Sequence, residues 1–184
     1  DCDHTLLIVP ELDGWLLSRC RRAVAVGAKL ISPSPALVAL TSDKCATAAW
    51  LQQAGLPVPL TYRVQSADEL PRSMGWPAVM KPNDGAGSVD VQLVTYEGAQ
   101  SLLAGRQTYC LQAYCVGRAA SVAAICGPQQ QLLLPPCWQD LDPTTYAYLG
   151  GSLLTDPAER ERATRLAQRA IACLPDPIGY LGLD

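Results

Sequence analysis

What this sequence goes without narrows its chemistry first. It has a single histidine, His4, within 184 residues. That lone histidine lies at the start of the sequence, so Ser121 is expected to have no histidine partner and Ser/His nucleophilic catalysis is not expected. No two cysteines form a C-x-x-C pair; the eight fall at positions 2, 20, 45, 110, 115, 126, 137 and 173. Most lie in apolar runs, which argues for reduced thiols serving as small core residues in a reducing compartment, and against a zinc site or a disulfide framework. A cytoplasmic protein is expected. No run of about 18 apolar residues occurs, so no membrane span is expected. No signal peptide is visible, because Asp1-Cys2-Asp3-His4 precedes only a short apolar stretch from Leu6 to Val9. The net charge of −3 argues against a nucleic-acid surface. Neither G-x-x-x-x-G-K-[ST] nor G-x-G-x-x-G is present, which removes the P-loop and the dinucleotide fingerprint. There is no internal repeat and no low-complexity segment.

The most informative segment that is present runs from Gly75 to Val91, GWPAVMKPNDGAGSVDV. It places Lys81 at the end of an apolar run and a small-residue loop, Gly85-Ala86-Gly87-Ser88, just after it. Glycines let backbone N–H groups approach an anion closely, a lysine adds a point charge, and the alternation Val89, Val91, Leu93 returns the chain into a strand. Such a hairpin reads either as a phosphate lid or as an ordinary Gly/Ser turn.

A second lysine lies upstream in TSDKCATAAWLQQAGLPVP, residues 41–59. Ser42 is a good N-cap, the alanine-rich body favours helix, and Gly55 followed by Pro57 stops it. Lys44 then falls in the first turn, where a cation opposes the helix dipole by about 0.3–1 kcal/mol unless an anion is near. It is either solvated surface or reaches a phosphate.

The chain divides into three parts. In residues 1–40, Leu6 to Glu11 reads as a buried parallel strand, followed by a helix from about Gly14 to Gly27 and a short strand around Lys29 to Ser32, half of an α/β layer. Residues 41–108 add a capping box at Ser66-Ala67-Asp68-Glu69, strands over Pro77–Met80 and Val89–Thr95, and a short helix through Gln100 to Ala104. In residues 109–184, the runs Tyr109–Val116, Ala119–Cys126 and Gln130–Leu134 read as one antiparallel sheet with turns at Gly117-Arg118 and Gly127-Pro128. The strongest helix follows, capped by Asp156 with Pro157 at N1 and Glu159 completing the capping box. Its apolar face is Ala163, Leu166, Ala167, Ala170, Ile171 and Leu174. Arg160, Arg162, Arg165 and Arg169 read as its solvated side.

The D-K helix start, the GLPVP connection, the WPAVMKP strand, the GAGS loop, YCLQAYCVGRAASVAAIC and the final GYLGLD together resemble the ATP-grasp superfamily of carboxylate–amine ligases. The resemblance covers residues 41 to 184. It implies an α+β ATP-grasp fold, two α+β lobes with the nucleotide between them, preceded by the remnant of a parallel α/β domain in residues 1–40. Residues 41–108 would be the small lid-bearing lobe and 109–184 the large lobe. It further implies that Lys44 and Lys81 contact ATP phosphates and that Gly85, Ala86, Gly87 and Ser88 form the lid. Gln112, Ala113 and Tyr114 would belong to the hinge that holds adenine, and Asp184 would be a Mg2+ ligand, the alternative for Asp184 being a surface acid. Small-molecule substrates are implied, an amino-acid carboxylate and an amine, with no nucleic acid and no membrane, and a homodimer is compatible with it.

The chemistry implied is transfer of the γ-phosphate to a carboxylate, giving an acyl phosphate that an amine attacks. No side chain is expected to act as a covalent catalyst, because phosphoryl transfer is mostly positioning and charge neutralisation. Two features limit the resemblance. A glutamate that binds ribose in many members is replaced by Ala119, and the family's next strand, with a Glu and an Asn for the metal, is expected beyond residue 184. These 184 residues are therefore expected to be incomplete for catalysis. The short segments LIVPELDGWL and YLGGSL resemble the tyramine–glutamate ligase group of methanofuran assembly. In such a ligase the Gly150-Gly151 loop would face the acceptor; the plainer reading is a loop needing positive φ. Trp138, Asp140 and Asp142 are further candidates for contacting an amino acid. The second function the sequence allows is a nucleotide-binding but non-catalytic module that regulates or positions a partner.

Overall fold

The computed structural model describes residues 2–103, 105 and 107–184. The N-terminal segment folds around two helices, α1 (Trp15–Ala25) and α2 (Pro35–Thr41). Leu16, Cys20 and Val38 form their shared core, and Leu7, Val9 and Leu30 pack onto it. The expected parallel strand pair is reduced to one bridge between Thr5 and Leu30. Leu6 to Glu11 is not a buried strand: Leu6 is 57% and Ile8 90% exposed. An extended segment turns alternate side chains to opposite sides, and here only the Leu7/Val9 side has helices to cover it. The unanticipated α2 starts at Ser34, whose hydroxyl accepts the Leu37 N–H at 3.2 Å, with Pro35 at N1.

Helix α3 (Lys44–Gln53) begins at Asp43, not Ser42 as expected. Ser42 retains helical φ and ψ at the end of α2, so its hydroxyl is not placed to cap, whereas the Asp43 carboxylate accepts the Ala46 N–H at 2.8 Å. At the far end Gly55 takes φ +73°, the left-handed conformation that ends the helix as read from the sequence.

The first sheet contains β1 (Thr61–Val64), β2 (Ala78–Pro82), β3 (Gln92–Val94) and β4 (Tyr109–Ala113) in the order β1-β4-β2-β3, all antiparallel. Val64, Met80 and Leu111 anchor its buried side beneath α4 (Tyr96–Leu102), where Trp76 and Tyr96 meet edge to face at 5.4 Å. The expected strand from Val89 shrinks to β3 because Ser88 and Asp90 adopt φ of +60° and +56°, which bends the chain through turns. The capping box at Ser66 is instead a single 3-10 turn, Ala67–Glu69. The Ser66 side chain caps nothing, and Glu69 accepts the Gln65 N–H at 2.6 Å. Helix α4 starts at Tyr96 under a Thr95 cap, four residues before the expected helix; Ala104, its expected end, lies outside the described residues.

The second sheet is built on β5 (Ala120–Cys126), which pairs with β9 (Gly179–Leu183), β6 (Gln131–Leu133) and β7 (Cys137–Leu141); β8 (Tyr148–Leu153) continues it from β7. The run from Tyr109 was expected in this sheet, but β4 pairs with β1 and β2, so the chain leaves the first sheet only after Ala113. All three runs read alike as β-rich, and strand propensity carries no information about which neighbour a strand pairs with. Gly150-Gly151 lies within β8, not in a loop. A Cβ on Gly151 would stand 2.5 Å from the Trp138 carbonyl oxygen, so close strand approach is what requires glycine there.

Helix α5 (Pro157–Cys173) starts at the Asp156 cap as read, the carboxylate accepting the Glu159 N–H at 2.9 Å, but among the described residues the Glu159 side chain makes no return bond to Asp156 and the capping box is half formed. Its Ala167, Ala170 and Ile171 are buried, and Ile171 packs with Ala124, Cys126 and Leu181 of the sheet and Leu37 of α2. Arg165 pairs with Glu161 on the exposed side. Arg169 is not merely solvated: it donates to the Gly55 carbonyl at 2.9 Å, and Trp50 Nε1 donates to the Cys173 carbonyl at 2.8 Å. These two bonds tie α5 to α3 across the space between the sheets.

Candidate functional site

That space is a cleft of about 510 Å³, walled by α3, the segment Leu56–Pro59, the first sheet, β5, β9 and α5. Most of its wall is apolar, including Leu56, Val58, Val122 and Leu166, and four long polar side chains line it: Lys44, Lys81, Gln112 and Asp184.

Strand register explains how residues far apart in sequence share this wall. Cross-strand partners project to one face, and so do residues two apart. Lys81 pairs with Cys110, and Cys110 with Arg63; Val79 pairs with Gln112, and Gln112 with Thr61. Lys81 and Gln112 therefore stand on the cleft face in adjacent rows, about 7 Å apart along the strands. Lys44 reaches the same cleft from the first residue of α3.

The lysines differ in their partners. Lys44 Nζ donates to the carbonyls of Asp84 at 2.8 Å and Gly85 at 2.7 Å. Among the described residues the Lys81 ammonium has neither a hydrogen bond nor a salt bridge. Burial, and next the charge of Lys81, hold the Lys44 ammonium below the ordinary lysine range. Two cations facing one cleft with no salt bridge to either among the described residues repel one another, and the charges of Asp84 and Glu11 only partly offset this for Lys44 until an anion enters.

Asn83 was not singled out from the sequence, although it fixes this corner. Buried behind the loop, its Oδ1 accepts the Cys45 N–H at 3.1 Å, and its carbonyl accepts the Lys44 N–H at 3.0 Å. It thus satisfies two orphan donors of α3 from across the chain and sets Lys44 against the loop. Nearby, burial raises the Cys45 and Cys110 thiols, Cys110 to about 12, with Cys45 adding to that rise. Neither supplies a thiolate, in keeping with a packing role; all eight cysteines are unpaired.

Asp43 anchors the other side of the α3 start, paired with Arg63 at 2.6 Å. Burial acts to raise its carboxyl, but hydrogen bonds from Arg63, Ala46 N–H and Asn83 outweigh it and bring the pKa below the ordinary 3.8. A lowered carboxylate contributes stability above its unfolded pKa and loses it as pH falls through the folded one. Asp43→Ala is expected to lower stability by about 1–2 kcal/mol at neutral pH from loss of the cap and the pair. The deficit should shrink below pH 3.8. Urea unfolding of both chains at pH 7 and about pH 3 checks this; a deficit equal at both would remove the electrostatic part.

Asp184 lies on the cleft wall at the end of β9, and its Oδ1 accepts Gln139 Nε2 at 2.7 Å. Gln139, on β7, was also missed; a glutamine in a strand carries no signal until its neighbours are known. Among the described residues no three His, Cys, Asp or Glu side chains cluster to hold a metal, and no helix is long and apolar enough to cross a membrane.

Residues 41–184 match the ATP-grasp domain family. The chain belongs to the ATP-grasp family. A biotin carboxylase from Halalkalibacterium halodurans is 34% identical over 93 residues, 47% of this chain and 21% of its own length. An ATP-grasp superfamily protein from Archaeoglobus fulgidus superposes with a TM-score of 0.74 at 22% identity, over 99% of this chain and 53% of that one. A D-alanine–D-alanine ligase from Bacillus anthracis, solved in complex with ATP, gives 0.78 at 17% identity, over 99% of this chain and 62% of that one. This ATP-grasp chain therefore spans a fifth to under two thirds of the length of these relatives, and the structural likeness establishes the fold.

Against that fold the remaining sequence candidates fall outside the cleft lining. Gly85, Ala86, Gly87 and Ser88 do not line it; the loop turns through positive φ at Gly85, Gly87 and Ser88, and Gly85 sits beside Leu12. Ala113 and Tyr114 continue past Gln112 but are not on the wall, and Tyr114 is 45% exposed. Arg118 lies over the Trp138 ring at 4.8 Å and pairs with Asp140 at 3.0 Å. The Asp142 carboxylate accepts the N–H groups of Thr144 and Thr145 in its own turn, which lowers its pKa. Trp138, Asp140 and Asp142 are thus engaged with their own neighbours.

Proposed function

We propose that the cleft binds Mg·ATP and that this chain is the nucleotide-holding part of an ATP-dependent carboxylate–amine ligase. The observation that carries the reading is the convergence of Lys44 and Lys81, from different elements, on one cleft in which neither ammonium forms a salt bridge among the described residues. Polyphosphate is the ligand that such a pair suits. The apolar wall around Leu56, Val58 and Leu166 suits a base.

In this reading Lys81 holds a phosphate directly. Lys44 exchanges the carbonyls of Asp84 and Gly85 for phosphate oxygens, which frees the Gly85–Ser88 loop to fold over them as a lid. Ala113 and Tyr114 complete the adenine hinge beside Gln112. Asp184, held by Gln139, is the carboxylate that would hold magnesium. One carboxylate plus phosphate oxygens and waters suits that ion, so its binding should depend on the nucleotide. Bound magnesium would neutralise charge on the transferring phosphate. The γ-phosphate passes to a carboxylate oxygen, and an amine displaces phosphate from the resulting acyl phosphate to form an amide. Glutamate and a small amine are the proposed pair, as in tyramine–glutamate ligation, on the strength of the LIVPELDGWL and YLGGSL segments alone. A homodimer and a cytoplasmic site of action complete the proposal.

A second reading, a non-catalytic nucleotide-binding module, is favoured by two observations: Ala119 stands where a ribose-binding glutamate is common, and Lys44 is satisfied by the loop. Calorimetric titration with Mg·ADP tests what both readings share. Micromolar binding is expected, and its absence in a folded chain would remove both. ADP release from ATP by the whole protein on adding glutamate and an amine, which only the ligase reading expects, then separates them.

A further inference from the structure

The cleft contains a polar relay that the nucleotide reading leaves unused. Thr61 on β1 is the direct cross-strand partner of Gln112 on β4. Gln112 Nε2 donates to Thr61 Oγ1 at 3.0 Å, and Thr61 Oγ1 donates to the Pro59 carbonyl at 2.8 Å. Gln112 lines the cleft, whereas Thr61 does not. A hydroxyl has one proton to give. Given to the Pro59 carbonyl, it leaves Thr61 only lone pairs for Gln112, so the NH₂ side of the amide must face it. Turning the amide over would set oxygen against oxygen. The orientation of Gln112 therefore follows from donor and acceptor counting. Its Oε1 is left free, with no donor in hydrogen-bond reach among the described residues, and Nε2 keeps one N–H beyond the one given to Thr61.

We infer that Thr61 is a positioning residue for base selectivity: by locking the Gln112 amide it presents the amide oxygen, an acceptor, to the base, which favours a purine with an amine at position 6 over one with a carbonyl there. The inference rests on the proposal that the cleft holds a nucleotide, and it adds a selectivity device outside the lining. The geometry supports it, because the Gln112 row stands one dipeptide along the strands from the Lys81 row. A base beside Gln112 and phosphates beside Lys81 fit one extended ligand. An acceptor facing a carbonyl leaves two oxygens unpaired in a half-buried wall, the situation that polar sites reject most strongly.

The test is calorimetric binding of Mg·ADP and Mg·IDP, whose bases differ at position 6, amine against carbonyl, and at N1, which carries a proton only in hypoxanthine, to the wild-type chain, Thr61→Val and Thr61→Ser. The wild type is expected to prefer ADP by at least about tenfold. Valine keeps the β-branched shape but has no hydroxyl, so the amide is free to turn. The preference should fall at least about fivefold, through tighter IDP binding, and Thr61→Ser should restore it. A merely structural role would weaken both ligands alike and leave the ratio unmoved; that result overturns the inference. Thr61→Ala gives the same reading should the valine variant not fold. Equal binding of both ligands by the wild type overturns the selectivity device but leaves the nucleotide site standing. Binding of neither by a folded wild type removes the nucleotide site, and this inference with it.

Discussion

Lys81→Ala weakens Mg·ADP binding at least about tenfold, or 1.4 kcal/mol, and leaves the urea midpoint of the free chain near that of the wild type. The two halves of that expectation have one cause. Among the described residues the Lys81 ammonium makes no hydrogen bond or salt bridge, so removing it breaks no internal contact. The same lack of partners is what leaves it available to a phosphate. Lys44→Ala should behave differently. Its ammonium holds the carbonyls of Asp84 and Gly85, so its loss should weaken ADP binding to a similar extent and also speed backbone hydrogen exchange across residues 84–88 in the free chain. Calorimetry and exchange on both variants give a two-by-two outcome. Wild-type affinity in Lys81→Ala sinks the phosphate assignment, whatever the loop does.

Ile171→Ala should be the most damaging single truncation, lowering stability by about 2–5 kcal/mol in urea unfolding. Ile171 is fully buried at the point where α5, β5, β9 and α2 meet, packed with Leu37, Ala124, Cys126 and Leu181. Its neighbours come from three different elements, so the site has little freedom to collapse around a cavity, which places the cost toward the upper end of the range. Leu166→Ala on the same helix is the contrast. Leu166 faces the cleft and is 38% exposed, so its truncation should cost well under half as much and act mainly on nucleotide affinity. Equal losses at the two positions would show that α5 is not seated as described.

The parts of this molecule that were legible in its sequence are the ones governed by local chemistry. Asp156-Pro157 with Glu159 specified the start of α5, Gly55 specified the end of α3, and the order of short motifs from Asp43-Lys44 to Asp184 specified the ATP-grasp family, because each depends on residues a few positions apart. The lysines could be named as candidates for the same reason. What could not be read was anything that depends on which segment becomes whose neighbour. The β-rich run Tyr109–Val116 looked like a partner for β5, and its strand, β4, instead sits between β1 and β2, since strand propensity does not say which strand lies alongside. Ser42 was a plausible cap until α2, unmarked in the apolar pattern, ended against it and held it in helical φ and ψ. Asn83, Gln139 and Thr61 carry no local signal, because each acts by donating to or accepting from a residue 20 or more positions away in sequence. The sequence by itself determined the start of α5, the end of α3, the family and the charges brought to the cleft. Only tertiary structure decided that Lys44, Lys81, Gln112 and Asp184 share a wall, because that depends on strand register and on the two bonds by which Trp50 and Arg169 hold α3 against α5.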